Sequence, residues 1–98
     1  MPIDLSRVNL NNLDPDEKAV FMWQYGYHEK FTFYWYLWEA FKTADDRNGA
    51  LLGYGFPIER QGLIRYRTRE GWWKEVERKA VMDFYPDLSS STDKKDGA

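Results

Sequence analysis

The sequence predicts an all-α fold, a single small domain of about four helices, and three stretches carry that expectation. Asp14-Pro15-Asp16-Glu17 has the chemistry of a helix start, with a capping side chain, a proline at the first helical position and carboxylates at the positive end of the dipole. Along Glu29 to Asp45 the polar residues Thr32, Glu39 and Thr43 fall in one narrow arc at helical period, with Tyr36 beside them. In WWKEVERKAVMDF the apolar side chains recur at helical spacing between charges.

Taken in order, residues 1–13 alternate Ile3, Leu5, Val8, Leu10 and Leu13 with Asp, Ser, Arg and Asn, the pattern of an extended arm laid on a core. The first helix is expected from Pro15 to about Tyr25, where Gly26 stops it. The run EKFTFYWYLWEAF favours a strand by aromatic propensity, but its flanks HEK and EAFKTAD are helix formers, so the period of 3.6 decides for a helix over residues 29–45. Its apolar arc, from Phe31, Phe33, Tyr34 and Trp35 through Leu37, Trp38, Ala40, Phe41 and Ala44, exceeds half the circumference. Such a helix is expected to be wrapped on two sides and to form the centre of the domain. DRNGALLGYGFP, with three glycines and a proline, reads as a turn with one short helical turn around Ala50 to Leu52. A further helix runs from Pro57 to about Tyr66, interrupted by Gly62, and Thr68 caps a last one extending to Phe84 before Pro86. The domain is placed at 1–87 and a disordered tail, LSSSTDKKDGA, at 88–98.

Composition narrows the function classes. The chain has 98 residues, 18% of them aromatic, 43% hydrophobic and 31% charged, which fits one soluble core and excludes a disordered chain. A net charge of -2 gives no overall pull toward nucleic acid or an anionic membrane. The absence of cysteine removes thiolate catalysis and cysteine-based metal sites and suits a reducing cytoplasm. No basic, apolar export signal opens the chain, and the densest apolar run, Phe33 to Trp38, is far short of the roughly 20 residues that cross a bilayer. The expectation is a cytoplasmic protein with no membrane association.

No motif announces catalysis. His28, the one histidine, has no Ser, Cys or metal-ligand partner at informative spacing and reads as a turn residue. Asp46, Asn48 and Gly49 match the third, fifth and sixth positions of a calcium loop, but Ala44 and Gly55 stand where the first and twelfth ligands belong. Gly53-Tyr54-Gly55 lacks the strand and the lysine-serine pair of a phosphate loop. Carboxylates at Asp45 and Asp46, or Glu75 and Glu77, are not set across a substrate from each other. The reading is a protein that is not an enzyme and carries no cofactor or metal.

Charge is uneven. Residues 1–46 carry four basic and eight acidic groups, residues 47–82 eight basic and four acidic. Arg60, Arg65, Arg67 and Arg69 interleave with Tyr66 and lead into Trp72 and Trp73, a composition that suits a protein interface, a nucleic-acid contact, or pairing with the acidic half. Helical register puts Trp73 with Val76, Ala80 and Phe84 on a core stripe and Trp72 at its edge. The candidate protein-interface residues are therefore Trp72, Tyr36, Tyr66, Arg65, Arg67 and Arg69.

LWEAFKTADDRN, GYGFPIE and IRYRTREGWWKEV, together spanning Leu37 to Val76, resemble segments of small helical proteins of tailed bacteriophages and prophages. The resemblance implies no activity and no residue roles. It implies a setting, the host cytoplasm, and a class, stoichiometric binders of host or viral proteins, including inhibitors of bacterial defence. A protein partner is expected first, a structural homo-oligomer or a nucleic-acid accessory role through Arg60 to Arg69 after it.

Overall fold

The computed structural model describes residues 3–82, so the tail at 88–98, Phe84 and Pro86 lie outside the described residues. All regular structure among the described residues is helical: 3-10 turns at Leu5–Arg7 and Leu10–Asn12, then α1 (Pro15–Gln24), α2 (Phe33–Thr43), α3 (Asp46–Gly55), α4 (Pro57–Thr68) and α5 (Trp72–Ala80).

α1 starts and stops as its sequence dictates. Glu17 Oε1 accepts from the Asp14 backbone N–H at 2.9 Å. At the far end Tyr27 N–H reaches Met22 O at 2.9 Å and Gly26 N–H reaches Trp23 O at 3.2 Å, the Schellman closure, with Gly26 at φ +69°.

The middle of the domain is the crossing of α1 and α4 rather than the aromatic helix. A Cβ on Gly62 would stand 2.7 Å from Asp16 O and 2.7 Å from Val20 Cγ2. The glycine expected to interrupt α4 is thus what lets the two helices touch backbone to side chain. Around the crossing lie Val20, Phe21, Leu63, Trp38, Phe41 and Val76, all buried. Asp16 and Glu17 are buried on the same helix and paired, Asp16 with Arg65 of α4 and Glu17 Oε1 with Lys79 Nζ of α5 at 2.8 Å. The acidic N-terminal half and the basic second half do therefore pair, at these two places.

α2 is shorter than the expected 29–45 and is buried along one stripe, Leu37, Trp38 and Phe41, instead of being wrapped on two sides. Its start is fixed by Phe31, whose φ of +71° is left-handed, and by the extended Thr32 that follows. The glycine-rich stretch expected to be a turn is the ten-residue α3. Asp45 caps it by accepting from Asn48 N–H at 2.8 Å, and Gly53 sits where a Cβ would meet the Arg60 side chain. Half-buried Leu52 and Phe56 tie α3 to the rest of the core.

Thr68 caps nothing: it is the last residue of α4, and its hydroxyl donates to Ile64 O at 2.7 Å. α5 starts instead from Gly71, at φ +82°. The buried stripe runs through Trp72, Val76 and Ala80, so the register expected for this helix is corrected: Trp72 is core and Trp73 is half-buried. Val76 and Ala80 are compatible with either tryptophan at helical spacing, and Phe84, which favoured Trp73, lies outside the described residues.

The arm is extended between its two 3-10 turns and straps the end of α5. Asn9 N–H donates to Ala80 O at 2.8 Å, and Asn12 Nδ2 donates to Lys79 O at 2.9 Å and to Met82 O at 3.3 Å.

Candidate functional site

Two surfaces are candidates for a site, one aromatic and one basic. The aromatic surface is made by the loop after α1 and the first turn of α2. Phe33, Tyr34, Trp35 and Tyr36 are consecutive, so on a helix they point all around its axis, and no single partner can cover them. Phe33 is 62% exposed, Tyr36 56% and Phe31 70%. These rings lean chiefly on one another: Phe31 on Trp35 with centroids 5.2 Å apart, Trp35 edge to face with Tyr36 at 5.1 Å, Phe33 edge to face with Tyr34 at 5.2 Å. Phe33 also meets Phe56 at 5.8 Å, and His28 stacks on Tyr34 at 5.4 Å.

His28 stands between two apolar hollows. One, of about 310 Å³, is lined by Ala19, Met22, Tyr34, Trp38 and Ile58, with Lys18 and Glu59 at its polar side. The other, of about 280 Å³, is lined by Trp23, Trp35 and Trp38 with Lys30 and Glu39. Burial lowers the His28 pKa from its ordinary value of 6.5, so the ring is neutral at pH 7. Neither hollow brings it a serine, threonine or cysteine.

The basic surface lies where α4 turns into α5. A depression of about 350 Å³ is lined by Tyr66, Arg67, Arg69, Glu70, Trp73 and Lys74, among others. Trp73 is flanked by Tyr66, edge to face at 5.6 Å, and by Phe21 and Tyr25 at 6.1 and 6.2 Å. Tyr25 Oη donates to Glu77 Oε2 at 2.5 Å, and burial first, then this carboxylate, raise the phenol pKa and keep it protonated.

The six residues singled out in the sequence are therefore divided. Trp72 is 8% exposed and packs in the core, so it offers no surface. Arg65 is bound to Asp16. Tyr36 belongs to the aromatic surface; Tyr66, Arg67 and Arg69 line the basic one. Phe31 and Phe33 were read as part of a buried arc and are instead exposed. The signal available for them was position: one precedes and the other opens the helix, where no preceding turn supplies cover. Asp46, weighed for calcium, is the first residue of α3, and Asp45 is its cap.

No protein-family model, no curated protein and no solved structure matches the chain. Among the described residues no helix is long and apolar enough to cross a membrane.

Proposed function

We propose that this protein is a non-enzymatic protein-binding module that presents the ring cluster of Phe31, Phe33 and Tyr36 to a protein partner. The observation that carries the reading is Phe31, a non-glycine residue in the left-handed region whose ring stays 70% exposed. That conformation costs about 1 kcal/mol or more for a residue with a Cβ, and local burial does not offset it. A strained backbone that holds an aromatic ring in water fits a surface shaped for contact, and aromatic residues are the usual anchors of interfaces. The partner class follows the resemblance of Leu37 to Val76 to phage proteins: a host or phage protein in the bacterial cytoplasm, with stoichiometric inhibition of a host or defence protein as the mode.

The test is a photo-crosslinking amino acid placed at Tyr36 and, as a control, at exposed Arg47 on α3. A discrete adduct with one bacterial or phage protein from position 36 and none from position 47 is expected. An adduct only with the protein itself converts the reading to a homo-oligomer. A clean monomer in sedimentation with no adduct at position 36, or equal adducts from both positions, overturns it.

A further inference from the structure

We infer that the corner between α4 and α5 binds single-stranded nucleic acid, its backbone held by Arg67, Arg69 and Lys74 and one base laid against Trp73. The inference stands independently of the aromatic surface on α2. Its first support is how the protein disposes of its basic residues. Arg65 is paired with buried Asp16, and the Arg60 side chain crosses Gly53 of α3. Arg67, Arg69 and Lys74 are exposed, and none makes an ion pair with another described residue. All three line the same depression.

The second support is the wall. Trp73 is half-buried and fixed by three rings, so a base laid on its free side meets an aromatic surface that loses little freedom on binding. Cations beside an immobilised ring are what a nucleotide needs, one set of contacts for phosphate and one for a base. A volume of about 350 Å³ is of the order of one nucleotide.

Charge selects among anions. Glu70 lies in the same depression, and Asp45 and Asp46 share a neighbouring hollow with Arg67. These carboxylates moderate the field, which favours singly charged phosphodiesters over the doubly charged phosphate of a phosphopeptide. A base can reach the ring only when it is unstacked, so the strand is single.

The experiment is fluorescence anisotropy with a labelled 12-mer of deoxythymidylate, from 20 to 200 mM sodium chloride. Three phosphate contacts give a slope of log K against log salt of about -2, since each contributes about -0.7 on a single strand. Arg67→Gln with Arg69→Gln is expected to flatten the slope to about -0.7 and to weaken low-salt binding at least about tenfold. Trp73→Leu is expected to weaken it by about tenfold at unchanged slope, with folding checked by circular dichroism. Arg60→Gln is expected to change neither. No binding at 20 mM salt, equal binding of a 12-base-pair duplex, preference for a phosphoserine peptide, or an unchanged slope in the double variant each overturns the inference.

Discussion

Two aromatic runs open two helices of this protein, Phe33-Tyr34-Trp35-Tyr36 at the start of α2 and Trp72-Trp73 at the start of α5, and they meet opposite fates. The α5 pair is received by the core: Trp72 joins Val76 and Ala80 on the buried stripe, and Trp73 is flanked by rings from α1 and α4. The first turn of α2 has Phe56 and His28 as its outside ring partners and otherwise leans on its own neighbours. Both runs are wholly aromatic. What separates them is the surface across from them: α1 and α4 meet closely at Gly62 and offer α5 a face, while α2 engages the core only from Leu37 onward. Aromatic density therefore marks where burial is possible, and the neighbouring backbone decides whether it occurs.

The sharpest way to break this contrast is to truncate one ring at a time. Trp72→Ala is expected to cost about 3–5 kcal/mol, a large part of the roughly 5–15 kcal/mol that holds a domain. Trp73→Ala, half-buried, is expected to cost about half as much. Urea denaturation of the two variants checks the order, and a larger loss at Trp73 would return α5 to the other register. Next in size is Gly62→Ala, which forces a Cβ against Asp16 O and Val20 Cγ2 and is expected to destabilise by about 1–3 kcal/mol. A neutral result in thermal unfolding would mean that α1 and α4 are not in close contact.

On the aromatic surface, Phe33→Ser is expected to change stability by no more than about 0.5 kcal/mol while removing the Tyr36 crosslink. Phe31→Gly is expected to leave the melting temperature unchanged or raise it by up to about 1 kcal/mol equivalent, because glycine relieves the left-handed backbone. A marked loss of stability in either variant would place these rings in the core.

The smallest effect concerns His28. Burial holds its folded pKa below the ordinary value of 6.5, so below that pH the unfolded chain takes up the proton first. The stability given by the neutral ring is thus present above about pH 6.5 and lost as pH falls through the lowered folded value. His28→Phe, which preserves a ring to stack on Tyr34, is expected to flatten the stability curve over that window. An unchanged curve would show that His28 is hydrated.

Local chemistry was legible in the sequence and contact geometry was not. The start at Pro15, the stop at Gly26 and the restart at Pro57 each follow from one residue type acting on its own backbone, and each stands within a residue or so of its expected place. Gly62 misled because its meaning lies on another helix. The α3 glycines misled likewise, since a helix paired along α4 tolerates about 1 kcal/mol per glycine that an isolated one does not. Phe31 shortened α2 through a backbone angle that nothing in its side chain announces. Of the candidate interface residues, Tyr36, Arg67 and Arg69 are exposed, as a contact residue must be. Arg65 and Trp72 were misplaced because pairing with Asp16 and packing beside Val76 depend on tertiary neighbours.

The strap formed by Asn9 and Asn12 has a topological consequence. Residue 9 is hydrogen-bonded to residue 80, and the Arg7 guanidinium reaches Val81 O at 3.4 Å, so the first and last described elements meet and the path is nearly a closed ring. In a ring, the place where the chain is cut matters little, because closing one loop and opening another exposed one exchange similar entropies. A permuted chain in which residues 83–98 link the end of α5 to the arm, and which begins anew in the loop at Tyr27 to Lys30, keeps every described helix intact. It also places a chain end beside Phe31, so a fused reporter there would sit on the aromatic surface itself.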